Sequence, residues 1–520
     1  MSDDIVIVGS GIAALSFGAL AASAGRKVCL LEAHYHPGGY GHTFDFASRS
    51  GGRLKFNAQL HYVWNCGPGE TVHRILERLD LHRSVTFERY DPNGFDRMRI
   101  PGFALDIPGD AALLKDRLSA LFPGHAAGLA RFVDEVHALE SELTSIPSAP
   151  LRSTKMLARL HRYRRVVRWR NATLQDAFDH FGLPLEAQAL LGLQWPDFLL
   201  PPNQLSLFAW TLLFVGYQRG AYYPTRHFEH VIDSLVGVIR SHGGEVHLRH
   251  RVREFVSTGD AITGVIADRV TDDGVPTGES VQFDAPTVVC NMDPRQAATM
   301  IGLDRFSADV RRRLDYQYSP SSFMAYLAVE GLDLAAHGFG KSNLFHAEDP
   351  DLNRSFHRMY REGNYDAPSF AMTTPTLLTD DRDDCPAGTQ IVELLTVAQH
   401  DRFMKLKLGR PKAYVQAKRD VLSSLLDVVE AHYVPDFRDH IVFEMTGSPT
   451  TNERYCLAPA GHAYGSSLIP SQMGAGRLDH HSSVPGLHFC SASSGYAGFA
   501  GCMWTGATLW ETLSGERFLE

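Results

Sequence analysis

Residues 4–32 of the chain read DIVIVGSGIAALSFGALAASAGRKVCLLE, and this stretch decides the fold. Ile5 to Val8 is a short β-branched run that predicts a buried strand, and it passes straight into Gly9-Ser10-Gly11. The Ala- and Leu-rich segment that follows predicts a helix ending near Gly25, and "KVCLLE" predicts a second strand with Glu32 at its carboxyl end. The distance from Gly9 to Glu32 is close to the roughly 20 residues that a dinucleotide-binding βαβ unit needs. Each position has a physical reason. Gly9 permits the tight turn, and Gly11 lets a pyrophosphate approach the helix N-terminus, where the N–H groups around Ile12 and Ala13 point outward. Ala14 takes the third, small position, where helix and strand pack closely. Glu32, followed by Ala33, accepts hydrogen bonds from ribose hydroxyls and repels a 2′-phosphate. A lone G-x-G-x-x-A is a weak signal, but strand, helix, second strand and acid in order make a nucleotide site the expectation.

Outward from this unit, residues 30–44 read LLEAHYHPGGYGHTF, which places the pair Gly38-Gly39 soon after the acid. The pair, with "GGYGHTF" and "LKFNAQLHYVW" behind it, resembles flavoproteins of the amine-oxidase and phytoene-desaturase superfamily, most of all its retinol saturase and carotenoid isomerase branch. The resemblance implies an α/β fold with a discontinuous Rossmann-like FAD-binding domain and a mixed α+β substrate domain. It implies FAD as cofactor, with the chain at Gly38, Gly39, Tyr40 and His42 passing close to the pyrophosphate. It also sets the backbone of Gln59 and Leu60 beside the isoalloxazine ring. Two departures stand out: Tyr40 replaces an Arg that many relatives carry, and Asn57 and Gln59 replace the usual Asp and Gly.

Two later segments resemble the returning halves of such a domain. In "GAYYPTRHFEHVIDSLVGVIRSHGGEVHLRHRVREF" a helix precedes a strand running through "EVHLRHRVREFV", and by position Val252 corresponds to the adenine contact. Arg226-His227-Phe228 takes the place of a G-G-S triplet and adds bulk expected near the site entrance. "AITGVIAD" and "APTVVCNMDP" read as further strands, with Asn291 to Pro294 matching an N-x-D-P turn. In "GLHFCSASSGYAGFAGCMWTGATLWETL" the strand ends near Ser491, and Gly498, Gly501 and Gly506 match the closing motif. A helix starting near Gly501, Cys502 and Met503 would turn its positive end toward the flavin pyrimidine edge and favour anionic reduced flavin. The expected partition is a three-part FAD domain (1–75, 217–299, 448–520) interleaved with a helical insert (76–216) and a mixed one (300–447).

The 520 residues carry 50 Lys and Arg against 59 Asp and Glu, a formal charge of -9 that argues against nucleic acid as a partner. The seven cysteines show no C-x-x-C, which fits a reducing compartment. His34, His36 and His42 lack the spacing and partners of a metal site, so none is expected. No G-x-S-x-G, H-E-x-x-H or P-loop occurs. With no signal-like start and no apolar run of roughly 20 residues, a cytoplasmic location is expected. Residues 152–170 carry eight Lys or Arg and no acid, interleaved with apolar side chains. That pattern suits peripheral contact with an anionic membrane as well as a solvated helix face packed on the core. The apolar run at residues 190–217 suits a membrane contact or the wall of a substrate tunnel.

The resemblance therefore implies an FAD-dependent oxidoreductase that desaturates, saturates or isomerises carbon–carbon double bonds of an apolar isoprenoid or polyene. His61 and Tyr62 are the candidate catalytic groups beside the flavin, with packing as their alternative role. Two rivals stay open. A flavin amine oxidase predicts an aromatic cage and a polar pocket. A prenyl-lipid carrier resembling the GDP-dissociation inhibitors predicts a degraded nucleotide site, which the intact Gly9, Gly11, Glu32 and Gly39 oppose. Oligomeric state is not legible.

Overall fold

The computed structural model describes residues 3–48, 51–146, 162–379 and 385–519. Strand β1 (Ile5–Val8), helix α1 (Ile12–Ser23) and strand β2 (Val28–Leu31) form at the expected places. They sit in a parallel five-stranded sheet in the order Leu487–Phe489, Thr287–Cys290, β1, β2, Glu245–His247. Every residue of β1 and β2 is buried, as a parallel sheet covered on both faces requires. Helix α1 is buried on nearly all sides because Phe499–Ser514 and His227–Ser241 pack on it. Gly506 permits that approach: a Cβ there would collide with the Ala13 carbonyl oxygen.

The run expected as one strand at "EVHLRHRVREFV" is two. Arg249 has φ +59°, and the chain breaks there into Glu245–His247 in the parallel sheet and His250–Thr258 in a separate antiparallel sheet. That sheet continues through Ala261–Val270 and Pro276–Asp284.

The region 76–215, expected to be mostly helical, also holds strands. Asp96–Ile100 and Phe103–Ile107 form a hairpin that pairs in parallel with Asn343–Ala347. It completes a seven-stranded mixed sheet whose other members are Ile441–Gly447, Ser321–Glu330, Thr389–Ala398 and Ser369–Thr373. The hairpin was obscured because Asp96 takes an inward position of the strand, where Met98 and Ile100 are buried and Arg97 and Arg99 face outward; Asp96 is wholly buried by side-chain partners from elsewhere. The expected helices do form, including Ala126–Thr144, Leu174–Phe181 with its Thr173 capping box, and Pro411–His432.

Of the basic stretch, residues 152–161 lie outside the described residues. In the remainder Arg165 pairs with Glu135 and Glu142 at 3.0 and 3.1 Å, and Trp169 is buried with its indole N–H donating to Glu135. Among the described residues no helix is long and apolar enough to cross a membrane.

Candidate functional site

The first glycine loop is fastened at both ends. Gly9 has φ +92° and donates its N–H to the Leu31 carbonyl at 2.7 Å, closing the loop onto the end of β2. Gly11 donates to Asn291 Oδ1 at 2.8 Å, and a Cβ on Gly11 would stand 2.5 Å from that oxygen. Beyond it, Ile12, Ala13 and Ala14 form the first turn of α1, whose N–H groups have no acceptor within the helix. The glycine pair crosses this loop. Gly38 (φ +112°) donates to the Ser10 carbonyl at 3.0 Å, and a Cβ on Gly39 (φ +57°) would come within 3.3 Å of Gly11 Cα. Two backbones thus touch at Gly11 and Gly39, which explains glycine in both segments.

Glu32 is held in place at the mouth of this cradle. Its Oε2 accepts from the Ser10 N–H at 2.8 Å and the Ser10 hydroxyl at 2.5 Å, and Oε1 accepts from the His34 N–H at 2.8 Å. Burial pushes its pKa upward, and these three hydrogen bonds oppose the rise. Glu32 and Ala33 nevertheless remain partly accessible. The chain at Arg249 and His250 donates to the carbonyls of His34 and Glu32, which brings the strand of Val252 alongside the acid.

Asn291 ties three distant segments together. Its carboxamide receives the Gly11 N–H and donates to the carbonyl of Cys490, the residue before Ser491. Ser491 is buried and caps the turn Ala492–Ser494. The closing helix starts at Phe499, two residues before the expected point, because Gly498 (φ +76°) turns the chain in early. The Cys502 N–H therefore already donates to the Gly498 carbonyl, while Gly501 lies in the first turn. Cys502 is half-buried, and burial pushes its thiol up to about 12, so it stays neutral. The Met503 side chain is fully buried, and its carbonyl accepts from Ser16 at 2.9 Å.

Charge near the cradle comes from an unexpected source. Burial lowers His34 to about 4 and lowers His42 as well, so neither imidazole is a cation at neutral pH. His42 is engaged by the Gly39 carbonyl at 2.7 Å. Arg477 is buried against the closing motif and donates to the carbonyls of Ala492 and Gly495; burial lowers it to about 10, so it remains charged. Nothing in its surrounding sequence announces that role. Among the described residues no three His, Cys, Asp or Glu side chains gather as metal ligands. Phe228, expected to crowd the entrance, is instead wholly buried against Tyr223 and Phe499.

The segment after strand Arg53–Asn57 separates the two candidate catalytic groups. Gln59 bridges Asn452 and Ser322 at 3.3 and 3.0 Å, while Leu60 is partly accessible. His61 Nδ1 lies 3.3 Å from Glu393 Oε2, and the other Glu393 oxygen accepts the Asn57 N–H at 2.8 Å. Tyr62 points elsewhere. Its ring stacks on Tyr217 with centroids 4.0 Å apart, and its hydroxyl lies 3.1 Å from Asp96 and 3.0 Å from Asp197. One chain segment connects this cluster to the glycine cradle: Tyr40 donates to the His462 carbonyl at 2.5 Å, and Tyr464, two residues on, donates to the Asp197 carbonyl. Asp96, Asp197, Glu393, Asn291 and Arg477 were all absent from the expected site. Asp197 had one signal, being the single acidic residue of the apolar run 190–217.

A parallel sheet with glycine-lined βα turn, ribose-type acid and returning C-terminal helix defines a dinucleotide-binding oxidoreductase fold. A family described as an NAD(P)-binding Rossmann-like domain matches residues 7–79. The human protein named all-trans-retinol 13,14-reductase is 24% identical over 540 residues, covering 96% of this chain and 83% of its own. Putrescine oxidase, in a cofactor-binding redesign, superposes with a TM-score of 0.66 at 13% identity, covering 99% of this chain and all 100% of its own. An oxidoreductase from Methanosarcina mazei gives 0.60 at 15% identity, with 98% and 100% covered. The chain is thus similar to the retinol 13,14-reductases over nearly its whole length and shares its fold with putrescine oxidase.

Proposed function

We propose that the chain is an FAD-dependent oxidoreductase acting on a carbon–carbon double bond of an apolar, isoprenoid or polyene-like substrate. The observation that carries this reading is the interlocked cradle: Gly11 against Gly39, Glu32 held open by Ser10 and His34, and Asn291 joining Gly11 to Cys490. These residues fit a dinucleotide. The first-turn N–H groups of Ile12, Ala13 and Ala14 would meet the pyrophosphate, and the accessible edge of Glu32 would accept the ribose hydroxyls. Bound FAD supplies two-electron transfer. The chain's own residues orient it, exclude water with the apolar run 190–217, and hold a proton beside it. The retinol reductases among its relatives favour reduction as the direction, with all-trans-retinol as the first substrate to try.

A polyamine oxidase is favoured by one observation, the half-buried Asp197, whose carboxyl meets the Tyr62 hydroxyl while its backbone carbonyl accepts from Tyr464. The test, run without oxygen, adds all-trans-retinol to the chemically reduced protein and putrescine to the oxidised protein. Reoxidation by the retinoid with loss of one double bond supports the proposal. Bleaching of oxidised enzyme by putrescine would replace it with the amine reading.

A further inference from the structure

Asp96, Tyr62 and Asp197 form a chain of two carboxyls on one phenol, and its hydrogens can be counted. A phenol has one hydrogen to give, yet its oxygen lies within 3.1 Å of one carboxyl and 3.0 Å of the other. Asp96 also receives the Gln194 amide at 2.5 Å and the Asn343 amide at 3.1 Å, so three donors converge on it and favour its anion. Asp197 has Tyr62 alone; its other oxygen has no hydrogen-bond partner among the described residues, and the side chain is partly accessible. With the anion at Asp96, where the donors converge, each contact receives a hydrogen when Tyr62 donates to Asp96 and Asp197 donates its own hydrogen to Tyr62, whose oxygen the Gln194 amide also reaches at 3.4 Å.

The surroundings favour one proton for two acids. Burial raises Asp96 to about 7 and raises Asp197 well above the usual carboxyl range, with the Asp96 charge as the second cause for Asp197. The phenols of Tyr90, Tyr217 and Tyr464 face the pair and are all pushed upward by burial, so none supplies charge. Glu393 adds a further acid near Tyr90, and among the described residues neither Asp96 nor Asp197 has an ion pair with Lys, Arg or His. Gln194 Oε1 and Trp195 Nε1 are buried without a hydrogen-bond partner among the described residues.

We propose that Asp197 is the general acid of the site, kept protonated by the Asp96 carboxylate across the Tyr62 hydroxyl. Asp96 and Tyr62 are its positioning residues. The proposal rests on the double-bond reading above and gives it a proton source. Reduction of the double bond would need a hydride at one carbon, which a bound flavin recharged by an external two-electron reductant would supply, and a proton at the other. The π electrons form the second C–H bond with the proton of Asp197, which is left as a carboxylate. Two adjoining carboxylates then repel, and that repulsion draws the next proton from solvent.

Infrared difference spectroscopy of the flavin-loaded protein tests the assignment without substrate. At a pH well above the Asp96 ionisation near 7, where Asp96 is a carboxylate, the wild type should show a protonated-carboxyl stretch that Asp197→Asn removes. Asp96→Asn should move its titration to lower pH, because the neighbouring charge is gone. Tyr62→Phe, which keeps the ring on Tyr217, should shift the band's frequency. Asp197→Asn should also slow double-bond reduction by about 10²–10⁴-fold while flavin content and chemical bleaching persist. A wild type with no such band, a band that survives Asp197→Asn, a frequency unmoved in Tyr62→Phe, or undiminished turnover in Asp197→Asn would each overturn it. A wild type that binds no flavin, or ignores polyenes while the band behaves as described, would instead defeat the double-bond reading.

Discussion

The glycine cradle and the acid cluster are joined by the short segment from His462 to Tyr464, yet they are built in opposite ways. The cradle is made of backbone: Gly9, Gly11, Gly38 and Gly39 matter because of what they lack, and their roles follow from close approach and positive φ. The cluster is made of side chains. Tyr62, Asp96, the neighbours Gln194 and Asp197, Asn343 and Tyr464 come from five separated stretches of the chain and meet only when the sheets are assembled. A backbone-built site tolerates almost no added atom, whereas a side-chain site is tuned by charge and hydrogen count. Substitutions should therefore act through cofactor affinity in the first region and through protonation in the second.

The largest effect is expected in the cradle. Gly11→Val places a branched side chain on a Cβ that would stand only 2.5 Å from Asn291 Oδ1, and it fills the pyrophosphate approach. Flavin affinity should fall by about a thousandfold or more, read by titrating FAD into the stripped protein; a variant that purifies yellow would break the comparison. Glu32→Ala should follow. It removes the acceptor held by Ser10 and His34, and loss of the ribose hydrogen bonds should cost about 1.5–3 kcal/mol, about 10–150-fold in Kd. Unchanged flavin content would sink that assignment.

Smaller effects should appear away from the cofactor contacts. Gly506→Ala drives a methyl into the Ala13 carbonyl and pushes the closing helix off α1, at about 1–3 kcal/mol of stability, visible as a lower Tm in the unloaded protein. In the acid cluster the effect is one of pH. Asp96 in the folded chain ionises near 7, against the ordinary 3.8, so the folded state holds a proton that the unfolded chain has released. The Asp96 contribution to stability should fall as pH rises from about 4 to 7 and be lost above, with a slope of at most about 1.4 kcal/mol per pH unit from this group. Asp96→Asn should flatten that slope; an unchanged slope in chemical denaturation would place the titrating group elsewhere.

The same contrast explains what the sequence disclosed. β1, α1, β2 and the glycine pair were legible because their spacing is local and each small residue has a steric reason. The three separated parts of the parallel sheet were legible only through resemblance, since nothing in "GLHFC" by itself says that Leu487–Phe489 pairs with Val288 to Cys290. The split at Arg249 was hidden because apolar alternation continues through a residue with φ +59°. The Asp96 hairpin was hidden because its buried acid reads as a surface residue until Gln194, Asn343 and Tyr62 close around it. His61 and Tyr62 were singled out together, but adjacent residues on an extended segment face opposite ways. One of them leads to Glu393 and the other to the two aspartates.

The most direct test of the central claim is the visible absorption spectrum of the purified protein, taken before and after anaerobic reduction with dithionite. A flavin spectrum should be present, bleach on reduction and, in Glu32→Ala, weaken in proportion to lost cofactor. A colourless protein that also fails to take up added FAD would contradict the claim.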